Sequence, residues 1–150
     1  MTGQSALLLP PDQAVAAISA TIVEELQPAL ERFEEFAMLP ENWDSYGAAP
    51  ISAVAIDRAR ELAAEIISKH ALSIRPADYS FDVVPTPDGG VQLEWRVGEQ
   101  HLEIAIGSRG AMAYLLVTTT DGDRQSKSGE DVPRDLVMQI AEDILRHRDA

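Results

Sequence analysis

Glu94 and Glu103 are the residues of this chain whose spacing most readily suggests chemistry. They lie in "VQLEWRV" and "HLEIAI", two runs that alternate apolar and polar residues on either side of Gly98-Glu99. A Gly-first pair between alternating runs suits a two-residue hairpin turn. Val97 then faces Gln100, and the register that follows sets Trp95 against Leu102, Leu93 against Ile104 and Val91 against Ile106. On the other face it sets Arg96 against His101 and Glu94 against Glu103. Two carboxylates at that separation could hold a divalent cation or share a proton. If "GSRG" at 107–110 is a four-residue loop, Tyr114 falls beside Glu103. The row Glu94, Glu103, Tyr114, with His101 alongside, is then an acid–base or metal-assisted candidate. The same residues also fit a solvated sheet face, with Arg96 reaching diagonally to Glu103 and His101 to Glu94. Without such partners, opposed like charges cost roughly 0.2–1 kcal/mol.

Other routes to catalysis are poorly represented. Cysteine is absent, which removes disulfides, thiolate zinc sites and cysteine nucleophiles. No G-x-S-x-G elbow, Walker A loop or G-x-G-x-x-G fingerprint occurs. "DGDRQSKSGED" begins like a calcium loop but has Ser126 where glycine is needed and Val132 where the closing glutamate belongs. His70 and His147 fall near expected helix C-termini, where the helix dipole favours a cation. No catalytic residue, metal ligand or cofactor is assigned on these grounds.

The elements that must position these residues follow from periodicity. Val15, Ile18, Ile22 and Leu26 form a helical stripe within 11–38, continued by Leu30, Phe33 and Ala37. Pro28 lacks the N–H a helix interior needs, so two helical pieces are expected. Ser52 is a good N-cap for a helix reaching about His70, with Ala55, Ala59, Leu62 and Ile66 inward and Ile56, Ala63 and Ile67 widening the stripe. After a polar connector holding Pro76, the period changes from 3.6 to 2. Strands are expected at 79–86, 91–97, 101–106 and 111–118, with "PTPDGG" as a turn cluster. The tract 119–131 reads as a polar loop, with a short hairpin at Asp121-Gly122. Asp131 is the expected cap of a last helix striped by Leu136, Ile140 and Ile144, with Val137, Ala141 and Leu145 widening it. The expected fold class is α+β, an antiparallel sheet of about four strands with helices on one face, in the order helix-helix-strands-helix. The whole of 1–150 reads as one domain, with 1–10 a loose tail.

Between the first helical stretches lies "PENWDSYGAAPIS". Asn42 and Asp44 can bond their own downstream backbone as Asx-turns, and Gly47 permits positive φ. Trp43 and Tyr46 could plug a gap between helices and sheet, which makes the stretch a clasp. They could equally anchor a partner, which makes Asn42, Trp43, Asp44 and Tyr46 a binding site. Together, "LPENWDSYGAAPIS" and "PTPDGGVQLEW" resemble a group of small bacterial proteins with an N-W-D-x-Y-G-A segment before a helix and a P-T-x-D-G-G-x-x-x-E-W segment entering a hairpin. The resemblance covers about Leu39 to Ile106 and implies a bacterial origin and an intact domain, without a catalytic assignment. It singles out Asn42, Trp43, Asp44, Tyr46, Gly47, Gly90, Glu94 and Trp95. A fold-level link between the segments would have Asp44 or Asn42 capping the hairpin and Trp43 near Trp95.

Composition bounds the partners. The chain has 150 residues, 45% of them hydrophobic, enough for one real core. With 25 acids against 12 bases, its net charge of −13 repels nucleic-acid phosphates and anionic membranes. The opening segment lacks a basic n-region and its apolar run is short, so a soluble, cytoplasmic protein is expected. The leading functional expectation is a non-enzymatic module docking a basic protein partner, of antitoxin, immunity or accessory type. An enzyme using Glu94 and Glu103 is the alternative, and a self-assembling homo-oligomer is a third.

Overall fold

The computed structural model describes residues 10–71 and 78–146. Most of the expected N-terminal tail, the connector around Pro76, and His147 lie outside the described residues. In chain order the elements are α1 (Pro11–Ala37), α2 (Ala53–Lys69), β1 (Ser80–Pro85), β2 (Val91–Val97), β3 (Gln100–Ile106), β4 (Met112–Thr120), β5 (Asp123–Val132) and α3 (Arg134–Arg146). The five strands form one antiparallel meander in the order β1-β2-β3-β4-β5. The fold is α+β in the expected helix-helix-strands-helix order, with five strands where about four were expected.

The extra strand is β5. The polarity of the 119–131 tract predicts a loop, yet the chain pairs along β4 from Asp123 to Val132. Asp121 (φ 51) and Gly122 (φ 82) supply the two positive-φ positions of a type I′ turn, so that local signal was sound. Strand β5 is exposed along almost its whole length, so its period of 2 has no apolar side to reveal it.

Helix α1 also departs from expectation, running unbroken through Pro28. Pro28 is exposed, while Leu26, Ala29, Phe33 and Phe36 form a buried seam spanning it. That seam is anchored on both sides of the proline, and its burial outweighs the hydrogen bond lost at the Glu24 carbonyl. Val15, at 63% exposure, lies outside the seam. Ser52 caps α2 as expected, its Oγ accepting from the Ala55 N–H at 3.0 Å. Every residue of the expected α2 stripe is buried. Asp131 does not cap α3: it lies within β5 at φ 51, one residue before the strand's end, and Pro133 leads into the helix, its carbonyl accepting from the Leu136 N–H. The α3 core face is also rotated, with Val137, Met138, Ala141, Ile144 and Leu145 buried and Leu136 exposed.

One hydrophobic core lies between the helices and the inner sheet face, which presents Val83, Leu93, Trp95, Leu102 and Ile104 at zero exposure. Phe81 stacks on Trp95 across the β1–β2 pair, with ring centroids 4.5 Å apart. Among the described residues, no helix covers the other sheet face, which is half-buried to exposed along β2 and β3.

Candidate functional site

The β2–β3 register is the expected one throughout, including Trp95 against Leu102 and Glu94 against Glu103. The outer face therefore carries two directly opposed carboxylates. Strand β1 adds a third, because Asp82 pairs with Glu94. Asp82, Glu94 and Glu103 thus stand side by side across three strands. Gln92 Nε2 donates to Glu94 Oε2 at 2.7 Å, and His101 Nε2 lies 3.7 Å from Glu103 Oε2. Arg32 reaches from α1 to within 3.9 Å of Asp82 while its guanidinium lies over Phe36. The expected diagonal pairs are absent: His101 neighbours Glu103 rather than Glu94, and Arg96 has no ion pair among the described residues.

Tyr114 does not join this row. It pairs with Ile104 and so belongs to the inner face, while Leu115 stands opposite Glu103. The turn causes the shift. Gly107 N–H donates to the Ala111 carbonyl and Gly110 N–H to that of Gly107, closing a three-residue loop with Gly110 at φ 94. This is the bulged hairpin loop with glycine in the left-handed position, and it moves β4 one residue from the four-residue-loop register. The β1–β2 turn repeats the design: Thr86 N–H donates to the Gly90 carbonyl, Gly89 N–H to that of Thr86, and Gly89 sits at φ 90. A shared signal was therefore present in the sequence, glycine closing both "PDG" and "SRG". Tyr114 lies instead against Gly129, where a Cβ would come within 2.9 Å of its ring.

The acid–base candidate therefore keeps Glu94, Glu103 and His101 and loses Tyr114. Among the described residues, no three His, Cys, Asp or Glu side chains converge on a point where they could hold a metal ion. Alongside the carboxylate row, Ala105 opposes both Gln92 and Ala113, and Leu115 opposes Ser128. These small and apolar residues floor an open trough of about 350 Å³ edged by Glu103 and Glu130. Asp82, Ala105, Ala113 and Leu115 were not singled out from sequence, since their face depends on registers set by the two bulged loops.

The Asn42–Ser52 stretch is closed on itself. Asn42 (φ 64), Ser45 (φ 67) and Gly47 (φ 88) turn the chain, and Asn42 N–H donates to the Ala48 carbonyl at 2.7 Å. Asn42 Oδ1 accepts from Gly47 N–H, while Asp44 Oδ1 accepts from the N–H groups of both Tyr46 and Ala48. Trp43 packs against the core and its indole N–H donates to the Ala49 carbonyl at 2.8 Å. Two further backbone bonds, Ala49 N–H to Pro87 and Ser52 N–H to Gly89, fasten the stretch to the β1–β2 turn. The link to the hairpin thus runs through backbone rather than through a cap from Asn42 or Asp44. Gly89 permits the close approach there, since a Cβ would lie 3.0 Å from the Pro50 carbonyl oxygen, while a Cβ at Gly90 would run into the Ile106 carbonyl oxygen of β3. Trp43 and the two polar residues are occupied locally, whereas Tyr46 is 91% exposed.

His70 is the C-cap residue of α2 and is buried. A clear displacement of an acid–base equilibrium lies elsewhere: the hydrogen bond from Arg134 holds the exposed Glu65 carboxyl below its ordinary range. That pair joins α2 to α3 at 2.7 Å. No helix among the described residues is long and apolar enough to cross a membrane. Comparison with protein-family models, curated proteins and solved structures finds no match.

Proposed function

We propose that this protein is a non-enzymatic bacterial binding module, of antitoxin, immunity or accessory type, working in the cytoplasm. Its uncovered sheet face docks a basic protein partner. The observation that carries this reading is the row Asp82, Glu94 and Glu103 beside the Ala105–Ala113–Leu115 floor. Opposed carboxylates cost free energy in the isolated protein, and a partner's arginines or lysines set between them reverse the sign of that term. The apolar floor supplies contact area that water would otherwise cover. The net charge of −13 steers a basic partner towards the molecule.

Partner capture from the native host tests the reading. Wild type is compared with Glu94→Lys/Glu103→Lys and with Glu34→Lys/Glu35→Lys, which makes the same charge change on exposed positions of α1. A specific partner lost only by the sheet-face variant, and released by salt, is the expected result. Equal loss in both variants would reduce the effect to net charge, and no captured partner would remove the reading.

A further inference from the structure

Beyond docking, a second site lies at the end of the same outer face, next to the β2–β3 turn. Arg96, His101, Thr119 and Arg124 line an open recess of about 420 Å³ floored by the buried side chain of Val117. Register puts them together: Arg96 pairs with His101, His101 with Val117, and Thr119 with Arg124. In the wider molecule, Arg32, Arg60, Lys69, Arg134 and Arg146 each stand within ion-pair distance of a carboxylate. Arg96 and Arg124 have no such partner among the described residues. Arg58, Arg109 and Lys127 likewise have no ion pair among the described residues, so what sets Arg96 and Arg124 apart is that both line the same recess. Glu99 also lines the recess, and Glu103 lies 3.7 Å from His101 on the opposite side, so acidic groups bound the site without occupying the arginines.

We propose that this recess binds an oxyanion, a phosphate or carboxylate group, between the guanidinium groups of Arg96 and Arg124. Guanidinium forks match both anions geometrically, and their hydrogen bonds are charge-assisted. Thr119 contributes a hydroxyl at the same wall. The negative field of the whole protein disfavours stray anions, which leaves local geometry to determine whether one binds.

The test is a titration of the full chain with inorganic phosphate and, separately, acetate, each at constant ionic strength. The His101 ring and arginine Nε–H signals are followed by NMR. The expected result is a saturable shift of His101, weakened about tenfold or more in Arg96→Ala and in Arg124→Ala. Lys127→Ala removes the same charge from the opposite face of β5, where Lys127 pairs with Leu116, and is expected to bind as wild type does. Saturation by phosphate alone assigns a phosphate group, and saturation by acetate alone a carboxylate. Absence of saturation by either anion overturns the proposal, as does equal weakening in Lys127→Ala. The outcome is independent of the docking reading, because no protein partner takes part.

Discussion

Strands β2 and β3 present two surfaces that share every backbone hydrogen bond and differ in nearly everything else. The inner surface is dry and apolar, with Leu93, Trp95, Leu102 and Ile104 at zero exposure. The outer surface sets Glu94 against Glu103 and Arg96 against His101, half in water. One residue of register would exchange the two sets, so the apolar alternation fixes which carboxylates meet. The placement of the outer charges is thus a consequence of core packing, while their identity is free to serve a partner. A change on the inner surface should therefore cost stability, and a change on the outer surface should cost binding.

The largest effect should come from the inner surface. Leu93→Ala is expected to lose about 2–5 kcal/mol, read by urea denaturation, because the surrounding helices can only partly collapse onto the cavity. A loss below 1 kcal/mol would mean that this face is loosely packed and the comparison is weaker than stated.

The clasp offers a smaller contrast within a single loop. Trp43→Phe keeps an aromatic ring in the core and removes the bond to Ala49, an expected loss of about 1 kcal/mol. Tyr46→Ala, at a side chain 91% exposed, should stay within about 0.5 kcal/mol of wild type. Equal losses would show that Tyr46 also fastens the loop.

On the outer surface the expected sign reverses. Glu94→Gln keeps the shape and removes the middle charge of the Asp82–Glu94–Glu103 row, so stability at neutral pH should rise by a few tenths of a kcal/mol. A clear loss would show that the row is already compensated. Smallest of all is the exposed Glu65–Arg134 pair. Because the folded-state Glu65 carboxyl titrates below its ordinary range, its contribution is present above the unfolded carboxyl pKa. It is lost as pH falls through the folded value. Carboxyl NMR should show the Glu65 midpoint returning towards the ordinary range in Arg134→Ala.

The same contrast explains what the sequence disclosed. Where an element has a dry side, the reading was close: the α2 stripe, the Ser52 cap and the full β2–β3 register all follow from apolar spacing. In helix α1, local propensity alone predicts a break at Pro28, and the buried seam from Leu26 to Phe36 overrides it. Strand β5 has no apolar side, so its pairing to β4 is carried by neighbours rather than by its own pattern. The candidate site was half legible for a similar reason. Glu94 and Glu103 came from a turn whose length is evident in Gly98-Glu99, whereas Asp82 and Leu115 depended on bulged loops closed by Gly89 and Gly110.

Carboxyl footprinting of the protein, alone and with its captured partner, tests the central claim most directly. Labelling of Asp82, Glu94 and Glu103 is predicted to fall on binding, while Glu34 and Glu35 on the exposed helical side label as before. Protection of that helical side, with Glu94 and Glu103 still open to the reagent, would contradict the account.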